Sequence, residues 1–317
     1  MNKALVIGGN GFIGSHLVDS LVNRGWGVTV FDLYRRRYDS VPQGVNFIQG
    51  DLGVSTTNIE AILEKTAADV VFHLAWNSIH ETSLQNPTND LVSNLTPTIN
   101  IVQACTELGK KLIFLSSGGA IYGITDEKYI PETHPLNPLS PYGIGKLAVE
   151  KYLEMYRYLH GLDYAVLRPS VPFGPRQDYL KRQGAAAVFL YRVSQGLPVT
   201  IWGDGNNIRD FFYISDLINA ILKCADYNLQ NHRIFNVGGS EGITLNQLLI
   251  QVENVTGKKA IPEYQPARPF DPPQIVLDTT RIREEMGWKP EVTFSEGVQK
   301  TWNWIAHTIS SEQTDPR

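Results

Sequence analysis

Ala4-Leu5-Val6-Ile7-Gly8-Gly9-Asn10-Gly11-Phe12-Ile13-Gly14 joins a continuous apolar run to glycines at 8, 11 and 14, and those to a helical pattern. The run reads as a strand buried on both sides. The glycines let the backbone turn tightly and come close to a pyrophosphate, which the exposed N–H groups and dipole of the following helix stabilise. That helix is expected over 12–24, with Ile13, Leu17 and Leu21 on one face and Gly25 and Gly27 ending it. A three-glycine match is weak alone. Between a strand and a helix, at the head of an alternating series, it carries weight.

Working outward, β-branched apolar runs recur at 28–31, 45–48, 70–74, 112–115 and 164–167, with helical stretches over 89–108 and 142–160. Strands apolar on both faces that alternate with helices imply a parallel sheet covered on both sides. The expected fold is therefore α/β: a doubly wound parallel (Rossmann) sheet with a smaller α/β substrate-binding domain. After Arg168 the loops lengthen, over 172–184 and 260–273, and Pro and Gly become frequent. We assign 1–170 to a dinucleotide-binding domain, with segments near 210–240 returning to it (a helix over 215–226, a strand over 234–237). Residues 171–309 form mainly the substrate-binding domain, and 310–317 a polar, frayed tail.

The 317 residues are 42% hydrophobic and 19% charged, enough to bury a large core. A net charge of −4 and a pI of about 6.0 favour neither nucleic acid nor a membrane surface. No apolar run is long enough to span a bilayer, and the first residues read as strand rather than signal peptide. Cys105 and Cys224 lie far apart in buried helical patterns and read as reduced thiols, so a soluble, cytoplasmic protein is expected. The seven histidines show no metal-ligand spacing. Ser-Gly-Gly at 117–119 lacks the nucleophile elbow of a serine hydrolase.

Asp32 ends the strand after the glycine loop. Its carboxylate can accept from both hydroxyls of an adenosine ribose and would repel a 2′-phosphate, which points to NAD. Arg35-Arg36-Arg37 keeps NADP open, either as a phosphate clamp or as a solvated loop tip. Asp51 could accept from the adenine amine with Leu52 against the ring, or be an ordinary strand-end residue.

In Ser140-Pro141-Tyr142-Gly143-Ile144-Gly145-Lys146, Ser140 is a good N-cap and Pro141 a good first helical residue. Tyr142 and Lys146 then share a helix face. A phenol with pKa ~10 is a poor base at neutral pH. A cation ~4 Å away at an effective dielectric of ~20 is worth on the order of 4 kcal/mol, or ~3 pK units. Lys146, a cationic nicotinamide and the helix N-terminus are expected to bring Tyr142 near neutrality, where acid–base work is efficient.

The glycine loop, His73-Leu74-Ala75, Asn94, the run Ser116-Ser117-Gly118-Gly119-Ala120-Ile121-Tyr122-Gly123 and Tyr142-x-x-x-Lys146 together resemble the extended short-chain dehydrogenase/reductase family. Within it the likeness is to the nucleotide-sugar epimerases typified by UDP-galactose 4-epimerase, and it spans Lys3 to about Trp304. The resemblance implies a tightly bound NAD⁺ that accepts hydride from a sugar C4 while Tyr142 takes the hydroxyl proton. It also implies Lys146 as tuner, able besides to bond the nicotinamide ribose, a cofactor site of Phe12, Ile13, Leu74, Ala75, Ser116, Tyr142, Lys146 and Pro169, and Asn94 on the active-site floor.

Counting back from Tyr122, the family's hydroxyl falls on Gly118, so the adjacent Ser117 is taken as its substitute. The Asn expected after Arg168-Pro169-Ser170 is Val171. These departures keep a 4-keto nucleotide-sugar reductase open beside a 4-epimerase, and a non-catalytic NAD-binding protein behind both. Gly119 and Ala120 stand where sugar 4,6-dehydratases carry an Asp-Glu pair, which disfavours dehydration.

By the same resemblance, Arg209 and Arg268 would hold a nucleotide diphosphate, because two guanidinium forks match its oxygens. An exposed Arg209–Asp210 pair is the alternative. Asp271 is the expected partner of Arg268, and Trp202 either stacks on the base or belongs to the core. A small-molecule nucleotide sugar is thus the expected ligand. The 89–108 and 142–160 helices carry apolar residues beyond one stripe, among them Tyr152, Met155 and Tyr156; either they are buried within one subunit or, as the resemblance implies, they form the four-helix bundle of a homodimer.

Overall fold

The computed structural model describes residues 1–36, 38, 40–54, 57–180, 184–228 and 231–314. In chain order the first half runs β1 (Lys3–Ile7), α1 (Phe12–Asn23), β2 (Gly27–Asp32), β3 (Asn46–Gln49), α2 (Ile59–Thr66) and β4 (Val70–His73). Then come α3 (His80–Gln85), α4 (Pro87–Asp90), α5 (Thr96–Glu107), β5 (Lys111–Leu115), α6 (Gly118–Ile121), α7 (Pro141–His160) and β6 (Tyr164–Pro169). The second half adds β7 (Val171–Phe173), α8 (Ala185–Ser194), β8 (Val199–Trp202), β9 (Ile208–Tyr213), α9 (Ile214–Asp226), β10 (Ile234–Val237) and β11 (Gly242–Thr244). It ends with α10 (Leu245–Thr256), β12 (Pro262–Gln265), β13 (Gln274–Ile275), α11 (Thr280–Met286) and α12 (Phe294–Thr314).

The seven-stranded sheet has the order β3-β2-β1-β4-β5-β6-β10, and every pairing is parallel. Its construction follows from the alternation of side chains along a strand. On one face Ala4 and Val6 of β1 pack with Leu17 and Leu21 of α1 and with Leu217 and Ile221 of α9. On the other, Leu5 and Ile7 pack with Leu63 of α2, Ile101 and Cys105 of α5, and Val149 and Leu153 of α7. Register brings Ile7 level with Phe31 and His73, so Gly8, Asp32 and Leu74 emerge together at the carboxyl edge. Ligands bind outside this edge in open α/β sheets.

The expected helix over 89–108 is one continuous run with a break in its winding. A π turn, Leu91–Leu95, joins α4 to α5. It stops against Pro97, which lacks the N–H an α-helical ladder would use there. From Val171 on, a second core forms around Phe173, Leu190, Phe211, Val252, Val298 and Ile305, while α9 and β10 return to the large sheet.

The two halves are tied beside the glycine loop. Asp19 of α1 meets Arg36 at 2.9 Å and Arg176 at 2.7 Å. Tyr38 stacks on Tyr179 at 6.2 Å and meets the edge of Trp304 at 5.0 Å. Among the described residues no helix is long and apolar enough to cross a membrane. Cys105 and Cys224 are buried free thiols, each pushed up to about 12 by burial.

Candidate active site

At the carboxyl edge lies a crevice of about 850 Å³. Its wall includes Gly8, Gly11, Phe12, Ile13, Gly14, Asp32, Leu74, Ala75, Ser116, Ser117, Tyr142, Pro169 and Arg209. A narrower adjoining cavity shares Gly8, Asp32 and Ala75 with it and adds Asp51, Leu52 and Asn94.

The glycine loop fits a dinucleotide by subtraction of side chains. A Cβ at Gly14 would stand 2.1 Å from the Gly8 carbonyl oxygen, so only glycine lets α1 start this close to β1. Gly8 has φ +84°, and a Cβ there would come within 2.8 Å of the Ala75 nitrogen. The N-cap of α1 is Gly11, with no side chain satisfying the first-turn N–H groups. Asp32 is held against this loop: Asn10 donates its backbone N–H to Oδ2 at 2.9 Å, and Tyr34 to Oδ1 at 3.3 Å.

Arg35 and Arg36 line the crevice and are also held by the chain. Arg35 lies over the Phe47 ring at 5.4 Å. Arg36 donates to the Ser15 carbonyl at 2.8 Å and to Asp19 at 2.9 Å. Arg37 is outside the described residues. Asp51 accepts from the Gly53 N–H at 2.8 Å.

Helix α7 begins as the sequence predicts: Ser140 accepts from the Gly143 N–H at 3.2 Å and Pro141 follows it. Tyr142 packs between two rings, edge-on to Trp76 at 6.1 Å and tilted against His80 at 5.1 Å. Its hydroxyl lies near the Ser117 side chain, and both line the crevice. The chain's own groups by themselves shift the phenol upward rather than toward neutrality. Burial pushes the Tyr142 phenol up, the Ser117 hydroxyl lowers it and the Asp90 carboxylate raises it. Lys146 stands behind the phenol, with Nζ 5.9 Å from the centre of the Tyr142 ring, and makes no hydrogen bond to its hydroxyl. Nζ donates to the Leu115 carbonyl at 2.7 Å and lies 4.0 Å from the Trp76 ring centre, behind the crevice wall. Burial brings Lys146 down to about 7, against Glu150 and Asp90, which favour its charge.

Ser117 faces the crevice and Gly118 does not. A Cβ at Gly118 would stand 2.4 Å from Leu277 Cδ1 and 3.0 Å from the Arg168 carbonyl, so Gly118, expected at the substrate, is a packing residue instead. Ser116 donates to Glu150 at 2.5 Å. Glu150 in turn takes both Nε and Nη2 of Arg168, whose Nη1 reaches the Tyr122 hydroxyl at 2.9 Å.

Asn94 also departs from expectation. The π turn buries it: Oδ1 accepts from the Asn77 N–H at 2.7 Å and Nδ2 donates to Asp90. It lines the cavity of Asp32 and Asp51 rather than the crevice wall that carries Tyr142.

Arg209 and Asp210 are neighbours on β9 and so point oppositely, which removes the surface-pair alternative. Asp210 is fully buried, accepts from the N–H groups of Gly239 and Leu277, and is pushed up to about 6 by burial. Arg209 lines the crevice and is lowered by burial, with Asp271 opposing and Arg268 adding to the shift. Arg268 pairs with Asp271 at 2.6 Å, as expected, and lies over Trp202 at 5.2 Å, outside the crevice wall. Trp202 is 40% exposed and so does not belong to the core.

Sequence reasoning missed Trp76, His80 and Asp90. His80 Nδ1 is 2.9 Å from the Ser140 hydroxyl, and burial lowers its pKa. The only sequence signal was the position of Trp76 directly after the strand-end His73-Leu74-Ala75.

The sequence pattern of the NAD dependent epimerase/dehydratase family matches residues 4–238. UDP-glucose 4-epimerase of Mycolicibacterium smegmatis is 34% identical over 306 residues, covering 94% of this chain and 97% of its own. Among solved structures, UDP-glucose 4-epimerase from Thermotoga maritima with UDP-glucose superposes with a TM-score of 0.91 at 35% identity, covering 97% of this chain and 99% of that one. The Thermus thermophilus UDP-glucose 4-epimerase complex with NAD gives 0.89 at 36% identity, covering 96% and 99%.

Proposed function

Since the chain belongs to the NAD-dependent epimerase/dehydratase family, we propose that it is a nucleotide-sugar 4-epimerase acting through tightly held NAD⁺ and a transient 4-keto sugar. The observation that carries this reading is that Tyr142 and Ser117 share the wall of one crevice with Gly8, Gly14, Asp32 and Arg209. Asp32, held at the glycine loop, and the occupied Arg35 and Arg36 favour NAD over NADP. A similar protein solved with NAD and another solved with UDP-glucose support the same pairing of ligands.

When bound, the oxidised nicotinamide supplies a hydride acceptor and a positive charge. The chain supplies the rest. Tyr142 Oη takes and returns the proton of the reacting hydroxyl, and Ser117 holds that hydroxyl or the phenol in line. Lys146 keeps a positive charge behind the phenol, and Arg209 with Arg268 neutralises the diphosphate. Residues 1–170, with the returning segments, hold the dinucleotide; 171–309 close over the sugar nucleotide.

Purified protein given UDP-hexoses, their N-acetyl forms and uronates, with no added cofactor, should interconvert C4 epimers of at least one pair. Failure to turn over any of them would overturn the proposal. Stoichiometric oxidation of NADH by a keto-sugar would replace it with a reductase.

We also propose a homodimer through α5 and α7. On α7 Met155, Tyr158 and Leu159 stand 41%, 88% and 57% exposed, and Leu91 and Val92 of the π turn are exposed as well. Light scattering at micromolar concentration should give twice the chain mass of 35.5 kDa. A single-chain mass would refute the dimer.

A further inference from the structure

The Lys146 ammonium makes one hydrogen bond, to the Leu115 carbonyl at 2.7 Å, and is otherwise boxed by rings. Trp76 is nearest, with its centre 4.0 Å from Nζ, followed by Phe114 at 4.8 Å and Tyr142 at 5.9 Å. Trp76 occupies a notch made for it. A Cβ at Gly145 would lie 3.0 Å from Trp76 Cζ2, so the absent side chain, between Tyr142 and Lys146 on α7, makes room for the indole. The indole N–H is buried and has no partner among the described residues, so the ring is held by its faces and edges rather than by a hydrogen bond.

We propose that Trp76 is a positioning residue for the Tyr142–Lys146 pair, its π face keeping the buried Lys146 ammonium charged and fixed behind the phenol. A cation over an indole is attracted by the ring quadrupole, more strongly where water is excluded. The groups facing Lys146 are few. Glu150 on its own helix and Asp90 at the end of α4 favour the cation. Tyr142 is an uncharged phenol, its acidity reduced by burial. His73, at the end of β4, is held neutral with its pKa down to about 3 by burial and by Lys146 itself. Burial opposes the charge and brings Lys146 to about 7. With the opposing influences this close to balance at neutral pH, one added attraction decides how much of the lysine is charged.

The sign follows directly. Removing the π face lowers the Lys146 pKa further, so whatever needs the ammonium is lost at lower pH than before. For turnover this rests on the proposed reaction; for cofactor binding it does not. The experiment compares wild type, Trp76→Leu and Trp76→Phe, with NAD affinity measured by calorimetry on nucleotide-free protein and kcat measured by epimer assay, both from pH 6 to 9. In Trp76→Leu the alkaline limb of both profiles should move down by about one pH unit, and in Trp76→Phe by less. Turnover of Trp76→Leu should then fall roughly tenfold at pH 8.5 and recover most of that at pH 6.5.

A uniform loss at every pH, with both limbs unmoved, would mean that Trp76 only fills space and would overturn the proposal. If Trp76→Leu does not fold, Trp76→Phe decides, since it keeps a ring in the notch: a limb shifted down supports the proposal and an unmoved limb rejects it. Protein that binds NAD yet turns over no sugar nucleotide would end the proposed reaction and leave the binding limb to judge Trp76.

Discussion

Tyr142→Phe should lower turnover of every accepted nucleotide sugar by about 10²–10⁴-fold, the range that a positioned acid–base group contributes. The substitution is clean because the contacts that place the residue survive it. Phenylalanine keeps the ring that packs on Trp76 and His80, and it keeps the backbone N–H donated to the Ser83 hydroxyl at 3.2 Å. Only the hydroxyl, beside Ser117, goes. Melting temperature and NAD content should therefore stay close to wild type while kcat collapses. Undiminished turnover would rule out the phenol as the group that moves the proton. A collapse accompanied by loss of NAD would point to a structural role instead.

Glu150→Ala should destabilise the fold by about 3–5 kcal/mol, because it leaves a buried guanidinium without its counter-charge. The Glu150 and Arg168 side chains are 2% and 3% exposed, and they meet at 2.5 Å. Arg168 would retain the Tyr122 hydroxyl and the Glu132 carbonyl, neither of them charged acceptors. Thermal melting should fall on the order of 10 °C. The double variant Glu150→Ala, Arg168→Met should be more stable than Glu150→Ala alone, since an apolar pair carries no uncompensated charge. A single variant that melts with wild type, or a double variant worse than the single, would contradict this account. Ser116 loses its acceptor in both, so their difference isolates the arginine.

How much of this was legible in the sequence depended on the range of the determinant. The inner strands of the large sheet were readable because both of their faces are buried, which leaves continuous apolar runs such as Leu5–Ile7; the edge strand β3 was readable from Val45-Asn46-Phe47-Ile48 despite its partial exposure. The short β7, β11 and β13 were not, since two or three residues carry no period. The glycine loop, Asp32 and the Tyr142–Lys146 helix were readable because local backbone geometry fixes their offsets.

Where a side chain's direction depends on distant chain, reading failed. Gly118 is turned inward by Leu277, and Asn94 by a π turn whose winding a 3.6-residue pattern does not reveal. Trp76 beside Lys146, and that lysine's bond to Leu115, arise where β4, β5 and α7 converge. The predicted tuning of Tyr142 assumed that sharing a helix face meant sharing a contact. The backbone carbonyl and the indole took the lysine first.

The pairing of Asp19 with both Arg36 and Arg176, and of Tyr38 with Tyr179 and Trp304, has a kinetic consequence. Parting the two halves beside the phosphate cradle means separating the Asp19–Arg176 ion pair and pulling the Tyr38 ring off Tyr179 and Trp304 at once. The jaw is therefore held shut by folding itself, and a guest spends little freedom on organising its host. Residence time, more than encounter rate, then governs how long a dinucleotide stays. That is the behaviour wanted of a reagent that must be regenerated in place.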